Sequence, residues 1–523
     1  MQLRAEPLPI PARGIAGEGS FPLDPEAVAD WLAGLDPLGS DADARELLRG
    51  LVHSNRLHND VERRRAVIAR FAPSLRALHE RLAETARAQP LPLAPDFERD
   101  RALAADLLRE ESVAFRTLLV DADAPLEADA RRAMQALARL AELDANAYRG
   151  TDPGALGDAH ALYGYANRTG LVADAAPDEG LASLGEHYRT ILALALIDPH
   201  RHRARQLPLL IDWLGRECGR IGIEEVDPDA VAAANRRAPG RWLVDVRARA
   251  GPVPAGAALP AGEPPVLLAV DTGPLLRAVE RRIADMRPGA TSQPGADTLE
   301  RQSLARLAAT LGPPTGRRAP RRADGAGAAL VFGQRHICAR LLYDDEPGIR
   351  AGSDAAGAAD APWRIVDRST TGMQLVARDP RPGLVQVGEL VTVHEVPEPD
   401  GGRAASDVDA PDAPPNELLI GVVRRVRAMR DAALSIGVEF LARQAMPVTI
   451  SREDDAGAAP EQALVVACRV QGRTLQTLLV PAFLYQTGDR LRAGRHGRSR
   501  RLELVRCLQV NGLFSHYVIE TPD

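Results

Sequence analysis

The spacing of apolar residues changes twice along this chain, and these changes constrain the fold more than any other feature. From about residue 22 to 220 apolar residues recur at helical spacing, as in Val28, Trp31 and Leu32. After Cys218 short strand-like runs mix with helical ones, and beyond a Gly- and Pro-rich linker at 312–316 most runs alternate as strands do. This order predicts a multidomain α+β protein.

Four consecutive parts are predicted: a helical bundle at 22–225, a small α/β segment at 226–312, an antiparallel β-barrel at 313–450 and a C-terminal β unit at 451–523. The bundle is predicted to begin with a helix at Asp24 and Pro25, a typical start signal. The barrel strands are predicted at 329–332, 337–342, 363–366, 373–376, 390–393, 418–423 and 434–440, and those of the C-terminal unit at 464–470, 475–480, 502–507 and 517–519. Two insertions rich in Ala, Asp, Gly and Pro, at 344–362 and 397–415, are predicted to be mobile loops.

Composition argues for a cytoplasmic protein that binds neither nucleic acid nor membrane. The net charge of −6 argues against a general nucleic-acid binder, which needs a basic face. No apolar run approaches the length of a membrane span, so none is expected. The four cysteines, Cys218, Cys338, Cys468 and Cys507, show no paired spacing, which is typical of reduced, mostly buried thiols.

The chain contains no lysine, so every basic side chain other than histidine is an arginine. This excludes a phosphate-binding loop with its lysine and Schiff-base chemistry. Because no Gly-x-Ser-x-Gly or His-Glu-x-x-His motif is present either, we expect no enzyme. His200 and His202 have the spacing of a metal chelate, but the arginines around them oppose a cation, so a loop between helices is favoured and no metal is expected.

The short run from 367 to 372, here called the corner, carries the clearest binding chemistry. Asp367, Ser369 and Gly372 provide acceptors, a hydroxyl and room for close approach between two predicted strands, which suits a flat, hydrogen-bonding ligand such as a purine. The alternative is a surface turn. About eight Arg-x-x-x-Arg matches are expected by chance in this arginine-rich chain, against about 0.1 for Asp-x-Ser-x-x-Gly, so the corner is the more informative motif.

The corner belongs to an ordered series of signals. Arg317, Arg318, Arg321 and Arg322 precede it in a segment that is here called the arginine segment, residues 317–322. Gly388-Glu389, Gly421-Val422-Val423-Arg424 and Gly437-Val438-Glu439-Phe440 follow it. This series resembles the PilZ domain, the bacterial receptor for cyclic di-GMP, over about residues 313–450. The whole layout is similar to longer multidomain PilZ proteins of proteobacteria.

The resemblance implies a PilZ-like β-barrel that binds cyclic di-GMP. Either Arg317 with Arg321 or Arg318 with Arg322 would hold the ligand, while Asp367 and Ser369 would bind a guanine edge and the ligand backbone, and Gly372 would allow close approach. Guanidinium groups suit both phosphates and guanine. Arg424 either faces this site or is an exposed strand arginine.

We expect the ligand to order the arginine segment and so to reorient the helical bundle, which would contact a protein partner. The alternative function is a ligand-independent protein–protein scaffold with a degenerate PilZ barrel. The helical bundle, the extra β unit and the long insertion motivate that alternative.

Overall fold

A computed structural model describes residues 8–15, 21–87, 89, 93–124, 126–172, 182–226, 241–247, 249–255, 266–286, 296–312, 319–345, 362–378, 380, 385–396, 418–429, 433–454, 459–470 and 472–522. Arg317 and Arg318, most of the insertion at 344–362 and all of the insertion at 397–415 lie outside these residues. The described chain is a multidomain α+β protein with an N-terminal helical region followed by barrel-like sheets.

The N-terminal region, here called the helical half, contains eight α-helices among its described residues. They are α1 (Pro25–Ala33), α2 (Asp41–Asn55), α3 (Val61–Arg87), α4 (Pro95–Asp121), α5 (Glu127–Asn146), α6 (Pro153–Arg168), α7 (Leu184–Leu196) and α8 (Leu207–Glu217). The predicted start at Asp24 is confirmed, because its carboxylate accepts hydrogen bonds from the backbone of Glu26 and Ala27. Ser183 and Glu186 form a capping box at the start of α7.

A small α/β segment with a four-stranded sheet packs on the helical half. Despite the helices that follow it, α9 (Gly273–Asp285) and α10 (Ala296–Leu311), the sheet itself is purely antiparallel, with β1 (Gly222–Val226), β2 (Arg241–Asp245), β3 (Val253–Pro254) and β4 (Leu267–Asp271) in the order β1-β4-β2-β3. Val244, Val270 and Leu307 are fully buried in the same apolar core as α1–α8. The mixed segment and the helical half therefore share one core.

The first barrel follows. Its elements are β5 (Arg322–Ala323), β6 (Gly327–Phe332), α11 (Gln334–Asp345), β7 (Trp363–Ser369), β8 (Gly372–Arg378), β9 (Leu390–Val396), β10 (Leu419–Ala428) and β11 (Ala433–Ala442). The strand order is β5-β7-β6-β9-β10-β11-β8, and the pairing of β7 with β8 closes the ring. Six of the seven predicted strands are confirmed here.

The strand predicted at 337–342 is wrong, because this stretch is helix α11. Gly333 has φ +86° and ends β6, after which Ile337 and Cys338 are buried and Leu341 is partly buried. These positions share one face of a helix, and a short apolar run does not distinguish that face from a buried strand. The face packs on Leu464 of the following barrel, so tertiary contacts decide its conformation.

The second barrel is closed and has six strands: β12 (Ala445–Arg452), β13 (Glu461–Val470), β14 (Arg473–Pro481), β15 (Arg490–Arg495), β16 (Arg498–Val510) and β17 (Phe514–Glu520). The four predicted strands are confirmed, whereas β12 and β15 were missed. Pro447 weakens the strand signal of β12, and arginines fill β15. The predicted domain boundaries remain predictions; β12 spans residues 450 and 451.

The described cysteines are all free thiols: Cys218, Cys338 and Cys468 are buried and Cys507 is exposed. No helix in the described ranges is long and apolar enough to cross a bilayer.

Candidate functional site

The corner is a tight hairpin between β7 and β8. Ser369 pairs with Gly372 across a loop of Thr370 and Thr371. The Ser369 hydroxyl donates to the Gly372 carbonyl at 3.1 Å and accepts the Thr371 N–H at 3.3 Å. The hydroxyl of Ser369 therefore stabilises the turn, as the surface-turn interpretation predicts.

The side chain of Asp367 contacts the arginine segment. The Arg321 Nη1 atom donates to Asp367 Oδ1 at 2.6 Å, and the two side chains are 34% and 23% exposed. Strand β5 brings them together, because Arg322 pairs with Arg368 and Ala323 with Asp367 along the edge of β7. Arg322 is exposed. Two groups predicted from separate motifs thus meet in one ion pair.

A second ion-pair group lies beside the first and was missed from the sequence. Arg368 Nε lies 2.7 Å from Asp324 Oδ2, and Arg368 Nη1 lies 2.8 Å from Glu395 Oε1. Burial alone would lower the pKa of Arg368, but its two carboxylate partners raise it above the ordinary value. Arg368 immediately follows Asp367, and the cross-strand pairing that reveals its role is not a sequence pattern.

Gly372 is required by a neighbouring strand. A Cβ at this position would lie 2.3 Å from the carbonyl oxygen of Val438 in β11, and its φ is not in the left-handed region. Gly421 meets the same strand, since its Cβ would lie 2.4 Å from Val438 Cγ1 and 2.9 Å from the Glu439 carbonyl oxygen. The Phe440 N–H also donates to the Thr371 carbonyl at 2.9 Å. Gly372 and Gly421 therefore both pack against the strand that contains Gly437-Val438-Glu439-Phe440.

Arg424 lies on β10 and joins the two barrels. Its Nε donates to Glu439 Oε2 at 2.6 Å, and its Nη2 donates to Gln509 Oε1 of the second barrel at 3.1 Å. These contacts make Arg424 a connecting residue between strands, whose side chain is 36% exposed.

The helical half inserts into the first barrel. Tyr148 and Leu207 are buried in the barrel core, and the Tyr148 carbonyl accepts the Ala428 N–H at 2.9 Å. The Tyr148 hydroxyl donates to the His202 carbonyl, while Arg203 Nε donates to the Val387 carbonyl at 3.2 Å. A polar and apolar connection of this kind couples the position of the helical half to the barrel.

His200 and His202 lie in this junction and not in a chelate. Both are buried, and burial lowers the pKa of each to about 4. Nearby arginines act in the same direction as burial on these pKa values, Arg425 for His200 and Arg306 for His202, whereas Asp198 opposes it. Among the described residues no group of three His, Cys, Asp or Glu could hold a metal ion.

Comparison with known proteins concerns the helical half. Residues 26–229 match a protein family described as the N-terminal domain of the cyclic-di-GMP receptor FimW. The chain is 27% identical over 187 residues to the cyclic-di-GMP receptor FimW of Pseudomonas aeruginosa, and the alignment covers 35% of this chain and 28% of that relative. The family match ends before the arginine segment and the corner begin.

Proposed function

We propose that this chain is a cytoplasmic cyclic di-GMP receptor with a PilZ domain at about 313–450. In this proposal the arginine segment closes over the dinucleotide against the first barrel. The contact between Arg321 and Asp367 carries the proposal, because it joins two sequence motifs through residues that are 46 apart in the chain. The arginine segment and the corner together are here called the clamp.

Two further observations support a cyclic di-GMP receptor, and they come from different parts of the chain. The family matched by residues 26–229 is described as the N-terminal domain of a cyclic-di-GMP receptor, and the relative from Pseudomonas aeruginosa is described as a cyclic-di-GMP receptor. The PilZ resemblance rests on residues that follow position 313. Agreement between separate segments favours this function over a ligand-independent scaffold.

The chemistry of the clamp follows from the groups present. A guanidinium can hold a phosphate through two parallel hydrogen bonds, and a carboxylate can accept the N–H groups of a guanine edge. Binding would exchange the Arg321–Asp367 ion pair for Arg321–phosphate and Asp367–guanine contacts. A partly exposed ion pair contributes only about 0–1 kcal/mol, so the exchange costs little.

The proposal extends to both arginine registers. The contact made by Arg321 supports pairing with Arg317, whereas the exposed side chain of Arg322 leaves it available together with Arg318. Ser369 and Gly372 complete the proposed ligand-binding set, Ser369 by turning its hydroxyl from the Gly372 carbonyl to the ligand.

The insertion of Tyr148 and Leu207 into the barrel core bears on how the signal is transmitted. A large reorientation of the helical half would expose both side chains, and exposing a buried apolar side chain costs about 1.5–3 kcal/mol. We therefore infer that ligand binding first moves the arginine segment. The helical half, held against the barrel, would present the resulting state to a protein partner.

Calorimetry of the full chain with cyclic di-GMP tests the proposal. We expect binding by the natural protein and a loss of at least tenfold in affinity for Arg321→Ala and for Asp367→Asn, since each removes a charge-assisted contact. Arg378→Ala is the matched control, because Arg378 is an exposed arginine on β8 of the same barrel. Absence of binding at tens of micromolar ligand, or an equal loss in the control, would contradict the proposal.

A pull-down of a partner protein with the same variants distinguishes the cyclic di-GMP receptor from the ligand-independent scaffold. Capture that is independent of cyclic di-GMP and unchanged by Asp367→Asn would favour the scaffold. Single substitutions of Arg321 and Arg322 compare the two registers.

A further inference from the structure

A polar cleft lies between the helical half and the first barrel. This interdomain cleft has a volume of about 370 Å³. The helical half contributes Arg149, Gly150, Asp198 and His200 to its lining, and β10 contributes Arg425 and Arg427. Small-molecule sites commonly occupy clefts of about 300–1,000 Å³ at domain interfaces, so this cleft is at the lower end of that range.

The cleft has an excess of positive charge. Arg149 Nη2 is paired with Glu98 at 2.7 Å, and Arg425 Nη2 lies 3.3 Å from Asp198 Oδ1. Arg427 has no ion pair within the described ranges, although its side chain reaches the other wall: a Cβ on Gly150 would lie 3.5 Å from Arg427 Nη2. Asp198 does not balance Arg427, because its second oxygen lies 3.2 Å from Arg201 Nε.

His200 provides a second observation that is independent of the arginines. Its side chain is 5% exposed, and its Nδ1 atom has no hydrogen-bond partner within the part of the chain that the structure describes. The ring also interacts with the backbone carbonyl of Val426 on β10. Since the other ring nitrogen carries the proton towards the Val426 carbonyl, Nδ1 is a buried acceptor, and a donor such as the hydroxyl of a hydrogen phosphate or a water in the cleft can offset its unfavourable desolvation free energy.

The lining also indicates the class of ligand. Among the described residues that line the cleft there is no Phe, Tyr or Trp ring on which a base could stack, and guanidinium groups lie on both walls. Guanidinium groups bind phosphate oxygens through parallel hydrogen bonds. This favours recognition of charge over recognition of a nucleobase.

We propose that the interdomain cleft binds a small phosphate-bearing anion, held between Arg149 on the helical half and Arg425 and Arg427 on β10. This site is separate from the clamp at Asp367 and does not depend on the proposed function. An anion in it would strengthen the connection between the helical half and the barrel, because the two walls belong to different parts of the fold.

Calorimetry and thermal unfolding of the full chain at low ionic strength test this site, with orthophosphate, pyrophosphate and GMP as probes. We expect at least one probe to bind, to raise the unfolding temperature and to bind more weakly as salt is added. Arg427→Gln should weaken binding about tenfold or more, since it removes a charged donor. If pyrophosphate binds most tightly, the ligand of the cleft is an inorganic or terminal polyphosphate. If GMP binds most tightly, the ligand is a nucleotide.

Arg492→Gln is the matched control. Arg492 is an exposed arginine of the second barrel, and it makes no ion pair among the described residues. No binding of any probe at millimolar concentration would overturn the proposal, and so would equal weakening in Arg427→Gln and Arg492→Gln. Unfolding temperatures without ligand show that both variants are folded.

Cyclic di-GMP binding in the same variants separates this proposal from the clamp. Loss of dinucleotide binding in Asp367→Asn, with pyrophosphate binding retained, would support two sites. Failure of cyclic di-GMP to bind the natural protein or any variant would contradict the clamp. The proposal for the cleft would still be decided by the binding of the three probes.

Discussion

Replacing Gly372 by alanine tests why the corner needs a glycine. The new Cβ would lie 2.3 Å from the Val438 carbonyl oxygen, whereas Cβ atoms in proteins essentially never approach closer than 3.0 Å. Strands β8 and β11 would therefore have to separate by at least about 0.7 Å at this point. The obstacle is backbone in the middle of a paired strand, so no side-chain rotation relieves it.

We expect Gly372→Ala to destabilise the first barrel by about 1–3 kcal/mol, the usual cost of inserting a methyl group into a packed interior. In a domain of this size, 2 kcal/mol corresponds to a decrease in unfolding temperature of roughly 4–8 °C. Thermal unfolding measures the decrease, and hydrogen exchange in peptides from β8 and β11 locates it.

Gly325→Ala is the control for this prediction. Gly325 belongs to the same barrel, has no left-handed φ and has no neighbouring atom within 4 Å of its would-be Cβ. Its substitution should change the free energy of unfolding by no more than about 0.5 kcal/mol. If Gly372→Ala were as stable as Gly325→Ala, the argument from close strand approach would be refuted.

Two other substitutions test the junction between the helical half and the barrel. Tyr148→Ala should weaken their association by about 3–5 kcal/mol because a buried ring is lost, whereas Tyr148→Phe should cost only about 1 kcal/mol. Limited proteolysis and small-angle scattering would show separation of the two parts. Equal behaviour of the two variants would contradict the prediction. The pKa of His202 is lowered from 6.5 to about 4 in the folded state, so its contribution to stability is complete above about pH 6.5 and is lost as pH falls towards 4. In urea unfolding at several pH values, the free energy of unfolding should decrease less on acidification in His202→Gln than in the natural protein, by up to about 3 kcal/mol. The same pH dependence in both proteins would contradict this account.

Much of the local structure could be predicted from residue patterns. Helix α1 begins at the predicted cap, and the two strands around the corner are where the alternating runs indicate them. Such signals depend on backbone preferences and on the side of an element that faces the core, both of which act over a few residues. The same reasoning failed for α11, where only the packing of Ile337 against the second barrel distinguishes a helix from a strand.

The corner shows the division most clearly. Its position in a turn between strands, and the chemistry of Asp367 and Ser369, follow from the sequence alone. The tertiary structure decided that Arg321 contacts Asp367, that Gly372 accommodates the Val438 carbonyl and that Tyr148 enters the barrel core. Arg321 and Asp367 are 46 residues apart, and Arg203 and Val387 are 184 apart. Contacts across such separations are determined by strand register and packing, which no local pattern of residues contains.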